Sequence, residues 1–186
     1  MKLHLAGGQN YMEGWFNVDW TDRHRVDRKE NILRPKFWDS LETDSVDQVK
    51  CEHFIEHIPH ELRHTDKDGL IWFMEQLYRV CRDQATLEFA FPHHQGSWAY
   101  GDPTHCRFVQ TMTLRYFDRV QAKHGPMPDY VIHADFSVAS ATMRTVIKDG
   151  DTMTTEQLRE RIDREWNTVF EERVILLTHK PMREPL

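Results

Sequence analysis

The stretch Leu3-His-Leu-Ala-Gly-Gly8, followed closely by Gly14-Trp-Phe-Asn-Val-Asp19, decides how the rest of the chain is read. A short apolar segment ends in paired glycines, and a second ends in an aspartate. Glycines after a strand let a ligand lie against bare backbone, because no Cβ blocks the approach. A carboxylate at the tip of the neighbouring strand can accept hydrogen bonds from both hydroxyls of a ribose. The pair predicts a nucleoside-containing cofactor at the carboxyl edge of a parallel sheet. In isolation, a plain surface turn produces the same residues.

Outward from that point, residues 2–6 and 15–19 read as strands, with too little chain between them for more than a turn or two of helix. Residues 20–44 are polar and irregular, and residues 45–51 alternate into a buried strand. Residues 68–82 carry Leu70, Phe73, Met74, Leu77 and Cys81 at helical spacing with one core face. Thr86-Leu-Glu-Phe-Ala-Phe91 is the next strand, stopped by Pro92. Residues 93–110 form a loop bearing His, Gly and aromatic residues, long enough to predict a functional role. Residues 112–120 read as a short helix, and residues 136–148 and 172–179 as strands. Between those strands lies a helix over 154–169, with Thr154 and Gln157 as a capping box and Leu158, Ile162 and Trp166 on one side. Trp15, Phe37, Trp38, Trp72 and Phe73 are assigned to packing. Strands alternating with helices predict an α/β layered domain with a mostly parallel sheet, and the last two strands allow an antiparallel pair at its edge. Ligands bind beyond the carboxyl ends of such strands. Residues 6–14, 19–32, 52–57 and 92–107 are therefore the loops that matter.

At 186 residues the chain is expected to form one domain, with residues 1–120 as a cofactor-binding core and 121–186 as C-terminal strands and helix. A net charge of −6 argues against a dedicated nucleic-acid binder, although a few local cations could still hold such a substrate. Cys51, Cys81 and Cys106 are odd in number and lack CxxC spacing, which predicts reduced thiols and a cytoplasmic setting. No signal peptide is expected before Lys2, and no apolar run approaches the ~20 residues needed to span a bilayer.

The nicotinamide fingerprint fails, because Ala6-Gly-Gly8 lacks a third glycine and Asp19 comes well short of the usual ~20 residues. No P-loop sequence is present. The chain instead resembles class I S-adenosylmethionine-dependent methyltransferases, in particular the small type 11 branch. That branch reads strand, Gly-x-Gly, a short connection, then Gly-Trp-x-Asn-Val-Asp. The likeness continues through Ser45-Val-Asp-Gln-Val-Lys-Cys-Glu-His-Phe-Ile-Glu-His57, Glu75-Gln-Leu-Tyr-Arg-Val80 and Phe89-Ala-Phe-Pro92, covering the first 120 residues in order. Ala6 departs from the family's first glycine, and Arg82-Asp-Gln-Ala85 stands where its Pro-Gly-Gly turn is usual. The resemblance implies a three-layer Rossmann-like fold and S-adenosylmethionine as cofactor. It implies that Ala6, Gly7 and Gly8 offer backbone to the methionine part and ribose. Asp19 would hold the ribose hydroxyls, Asn31 and Ile32 would meet the adenine, and Glu52 and His53 would line the methyl-donor end.

His53-Phe-Ile-Glu56-His57 also matches the HxxEH pattern of certain zinc peptidases, in which histidines four apart share a helix face. Its position directly after a buried strand, inside an ordered methyltransferase pattern, argues against that reading. Some metal-using O-methyltransferases, including enzymes that cap small RNAs, resemble this chain more closely, with Glu-x-x-Glu-His here and a further histidine after strand five. That resemblance implies a divalent-metal set of His53, Glu56, His57 and His105, with His53 in place of Glu shifting preference from Mg²⁺ towards Mn²⁺, Fe²⁺ or Zn²⁺. A metal-free packing role for the motif is equally compatible with the sequence. His57, His94, Asp102 and His105 are the candidate general bases. The reading is methyl transfer to a hydroxyl, less favourably an amine, and its rival is a non-catalytic binding protein of the same fold. A small molecule or sugar stands ahead of a nucleic acid as acceptor, and Trp98, Tyr100 and Phe108 could stack on its ring.

Overall fold

A computed structural model describes residues 1–122, 132–145 and 153–184. Seven strands form one sheet in the order β3-β2-β1-β4-β5-β7-β6. The first five are β1 (Lys2–Leu5), β2 (Phe16–Asp19), β3 (Arg28–Lys29), β4 (Val46–Glu52) and β5 (Cys81–Pro92), all parallel. The last two are β6 (Phe136–Thr145) and β7 (Val169–Thr178), antiparallel to each other and, through β7, to β5. The expected Rossmann-like sheet with an antiparallel edge is the sheet observed. Residues 146–148 of the expected penultimate strand lie outside the described residues.

One core runs along one face of this sheet. Leu3 and Leu5 of β1, Val49 and Cys51 of β4, Leu87 and Phe89 of β5, and Val174 and Leu176 of β7 point the same way. Helix α1 (Pro35–Asp39) adds Phe37 and Trp38, and α2 (Gly69–Val80) adds Phe73, Met74 and Leu77. Trp38 meets Phe37, Trp72 and Phe73 edge-on, with ring centroids 4.9, 6.5 and 5.6 Å away. These four aromatics pack as expected, whereas Trp15 is only half-buried. Asp68 caps α2 by accepting from the Leu70 amide at 2.8 Å.

The second face differs from a full three-layer sandwich. Residues alternating with the core set include few apolar ones, and Lys50, Glu52, Glu88, Arg173, Glu171 and Arg144 form a continuous ladder of ion pairs at 2.5–3.5 Å. Parallel strands normally need a crossover of about a dozen residues or more, usually a helix. Only residues 6–15 join β1 to β2, and only residues 20–27 join β2 to β3, and neither link contains a helix. Buried Asn17 does a helix's work instead. Its Nδ2 donates to the Met12 and Trp15 carbonyls, and its Oδ1 accepts from the Met12 amide and lies 2.9 Å from His4 Nδ1.

Several boundaries shift. Helix α2 stops at Val80 and β5 begins at Cys81, so the expected turn at 82–85 is a bulge in the β4–β5 pairing, with Gln84 at φ 59°. The long loop after β5 contains a short helix, α3 (Ser97–Gly101), and the single helix expected at 112–120 is two, α4 (Thr111–Arg115) and α5 (Arg119–Ala122). The last helix, α6 (Thr155–Arg164), has the expected Thr154–Gln157 capping box but ends before Trp166, which is exposed. No helix among the described residues is long and apolar enough to cross a membrane. All three cysteines are free.

Candidate functional site

The carboxyl ends of β1, β2 and β4 open onto a cleft of about 470 Å³, of a size that holds small-molecule cofactors. Ala6, Asp19, Asn31, Ile32 and His53 line it, as expected, together with Trp20, Phe54 and Thr104. Asp19 is buried, and its two oxygens accept from the Gly8 amide at 3.1 Å and the Thr21 amide at 3.0 Å. Those amides fix the carboxylate and leave each oxygen a lone pair. Ala6 sits at φ 53°, the left-handed conformation that the family's glycine would take without strain. Asn31 Oδ1 accepts from the Leu33 amide at 2.9 Å, which leaves its amide nitrogen free to donate.

Three expected cofactor contacts are placed elsewhere. A Cβ on Gly7 would lie 2.2 Å from the His4 ring, so this glycine is required by packing beneath the loop. Gly7 and Gly8 border a small separate hollow, not the cleft wall. Glu52 belongs to the charged ladder, with its Oε1 2.5 Å from Arg173 Nη1. Against the upward push of partial burial, Arg173 and Lys50 hold the Glu52 carboxyl below the ordinary range.

A second cavity of about 1030 Å³ adjoins the first, and His53 and His57 form part of both walls. Glu56, His57 and His105 bring one ligand atom each within 4.8 Å of one another. Glu56 is 2% exposed, and neither carboxylate oxygen has a hydrogen-bond partner. The two imidazoles have defined tautomers. The Thr104 hydroxyl donates to Asp102 Oδ1 at 2.6 Å, so it accepts from His57 Nδ1–H at 3.0 Å. His105 Nδ1–H donates to the Ala99 carbonyl at 3.1 Å. Both Nε2 atoms therefore keep a lone pair. The rings meet edge-on at 4.7 Å. The loop carrying Asp102 and His105 is held in place because the Cys106 amide donates to the Glu56 carbonyl at 2.8 Å. Arg107 spans the Ile58 carbonyl and the capping Asp68 carboxylate, at 2.7 and 2.9 Å.

His53 does not join this trio. At φ 51° it leaves β4 in a left-handed turn, and only a single 3-10 turn, Ile55–His57, follows. The peptidase reading needs His53 and His57 on one helix face and is not supported by this geometry. His53 Nε2 meets Glu171 Oε2 of β7 at 2.8 Å, and its Nδ1 lies 3.4 Å from Glu56 Oε1, an ion-pair distance without hydrogen-bond alignment. Glu56 first, and then Glu171, raise the His53 pKa above the ordinary imidazole value, against the pull of partial burial. Of the four expected metal ligands the structure thus gathers three.

His94 lies on neither cavity wall. It stacks on His93 at 4.3 Å and turns its unpartnered Nδ1 to within 3.9 Å of buried Glu172. Burial, then neighbouring His94, lowers the His93 pKa. Asp102 reaches the large cavity, but the Thr104 hydroxyl and amide lower its pKa, which makes it an orienting group and a poor base. The sequence reading missed Trp20, Thr104 and Glu171. Of these only Trp20 carried a local signal, being a bulky residue directly after the strand-end aspartate.

No protein-family model matches the sequence, and no curated protein matches it. Solved structures do. An S-adenosylmethionine-dependent methyltransferase from Archaeoglobus fulgidus superposes with a TM-score of 0.56 at 16% identity, over 95% of this chain and 85% of that one. A chain from the complex of the Haloferax volcanii Trm112 methyltransferase activator with its methyltransferase gives 0.55 at 12% identity, over 98% and 83%. The [4+2]-cyclase SpnF gives 0.52 at 8%, over 96% and 74%. The chain has the Rossmann-like fold of S-adenosylmethionine-dependent methyltransferases.

Proposed function

We propose that this chain transfers a methyl group from S-adenosylmethionine to a hydroxyl of its acceptor. The observation that carries this reading is the pairing of two adjoining cavities. One is lined by Asp19, Asn31 and Ile32, and the other presents two imidazole lone pairs beside a buried, unpartnered carboxylate. The cofactor-side residues fit a nucleoside. Asp19 accepts from the ribose hydroxyls, Ile32 covers one side of the base, and the free Asn31 amide donates to it. When bound, the cofactor supplies an electrophilic methyl group on a sulfonium. His57, common to both cavities, accepts the hydroxyl proton on Nε2 as the oxygen takes the methyl and the sulfonium is left as a neutral thioether. Most of the acceleration then comes from holding the two reactants in line.

Glu56, His57 and His105 also fit a divalent ion, since an orphaned carboxylate and two Nε2 lone pairs are one oxygen and two nitrogen donors. With such an ion bound, His57 Nε2 would be its ligand and not the base, and the ion would lower the pKa of the acceptor hydroxyl instead. The fold alone does not require methyl transfer, as the superposed cyclase shows for its own case. Calorimetry with S-adenosylmethionine and S-adenosylhomocysteine tests the reading. Micromolar binding abolished by Asp19→Ala is expected, and no binding overturns it. Titration of metal-stripped protein with Mn²⁺ or Co²⁺ tests the ion, with binding lost in Glu56→Gln expected. Equal binding by the variant refutes this ligand set.

A further inference from the structure

We infer that the large cavity takes a small, ring-bearing acceptor that donates hydrogen bonds and carries no phosphate or carboxylate. This rests on the methyltransferase reading of the same site and adds the chemical class of its acceptor. Charge comes first. Among the described residues the walls contain the carboxylates of Glu56 and Asp102, and no Lys or Arg. The guanidinium of Arg144 stacks over the ring of the wall residue Phe170 at 4.8 Å and is paired with Glu171 at 3.3 Å. His53, on the same wall, is already matched by buried Glu171 at 2.8 Å and Glu56 at 3.4 Å, and a divalent ion on Glu56, His57 and His105 would balance the two wall carboxylates.

The polar atoms agree. The Nε2 lone pairs of His57 and His105 are acceptors, so a ligand satisfies them with hydroxyl or amine hydrogens. Much of the remaining wall is apolar or aromatic, and further exposed aromatics stand outside it. Trp98 stands 72% exposed at the cavity, with Phe170, Pro92 and Pro103 around it. Tyr100 stacks on Phe108 at 4.5 Å and approaches Trp166 at 5.8 Å, and all three are more than half exposed. Exposed indole and phenyl faces gain by covering a planar ring. A single-stranded nucleic acid would use the same faces, but it also needs cations along its backbone, and the described residues of this wall include no Lys or Arg.

Calorimetry at pH 7 with three probes decides the matter: 2-naphthol, 2-naphthyl phosphate and a single-stranded RNA hexamer. The naphthol is expected to bind at least tenfold more tightly than the phosphate or the RNA. Trp98→Ala is expected to weaken it at least fivefold while S-adenosylhomocysteine affinity stays unchanged. Equal or tighter binding of the phosphate or the RNA, no naphthol binding, or an unaffected Trp98→Ala would each overturn the inference. If the naphthol binds as expected and S-adenosylhomocysteine does not, the ring-binding cavity stands and the methyltransferase reading fails.

Discussion

Thr104→Val replaces a hydroxyl with a methyl group of nearly the same shape, and it removes the link between Asp102 and His57. In the native chain the hydroxyl donates to Asp102 at 2.6 Å and accepts from His57 Nδ1–H at 3.0 Å. The variant leaves His57 one weaker partner, the Thr104 carbonyl at 3.3 Å. A hydrogen bond of this kind is worth about 0.5–1.5 kcal/mol net, and Thr104 is exposed, so the lower half of that range applies. With 1.4 kcal/mol equal to a factor of ten, the tautomer that keeps the Nε2 lone pair facing the cavity loses about two- to fivefold in relative population. Nitrogen-15 NMR of the imidazoles reads that ratio directly and needs no acceptor. Co²⁺ affinity at Glu56, His57 and His105 should fall by no more than that factor, since it follows the fraction of the competent tautomer, while Thr104→Ser restores both and thermal stability stays within about 0.5 kcal/mol. A Thr104→Val variant whose His57 remains Nδ1-protonated to the native extent would refute the relay.

Three further perturbations test other parts of the argument. Asn17→Ala strips partners from the Met12 amide and carbonyl, the Trp15 carbonyl and His4 together, and should cost about 3 kcal/mol in urea unfolding. A loss below about 1 kcal/mol would show that the 6–15 link holds itself. Ala6→Gly relieves a left-handed backbone and should stabilise by about 0.5–1 kcal/mol after the added chain entropy, and a fall in stability would contradict the strain assignment. His53 faces Glu56 and Glu171, with Arg144 and Arg173 behind Glu171. Its raised pKa means that it contributes stability fully below the unfolded value of about 6.5, and loses that contribution as pH rises through the folded value. The gap in melting temperature between wild type and His53→Gln should therefore be wider at pH 6 than at pH 8.5, and a constant gap argues against a charged His53.

The parts of the fold that were legible in the sequence depend on neighbours along the chain. Alternation marked β4 and β5, a 3.6-residue period marked α2, and Thr154 with Gln157 marked the start of α6. Asp19 and Ala6, which line the smaller cleft, were singled out because strand-end chemistry is local. His94 was misplaced for the complementary reason: adjacency to a functional loop says nothing about which way a ring turns, and Glu172, in a distant strand, turns it. His53 is the same case, taken from the expected metal set by Glu171, 118 positions away.

The missing helices connect these observations. A chain that joins β1 to β2 through residues 6–15 cannot lay a helix on the second sheet face, so strand positions there are free to carry charge. Glu52 and Glu171 occupy that face, and each is matched by Arg173 at 2.5 and 2.7 Å. The same Glu171 takes the His53 Nε2 hydrogen bond, and Glu56, 3.4 Å from His53 Nδ1, is left buried at the large cavity without a hydrogen-bond partner among the described residues. A buried, unpartnered carboxylate destabilises a fold that gains nothing from it. Its persistence beside two imidazoles with outward lone pairs is explained by an occupant that brings positive charge or donor hydrogens. Glu56→Gln, which keeps the shape and removes the charge, should therefore abolish Mn²⁺ or Co²⁺ binding, and a Glu56→Gln variant that binds the ion as the native chain does would break the argument at its centre.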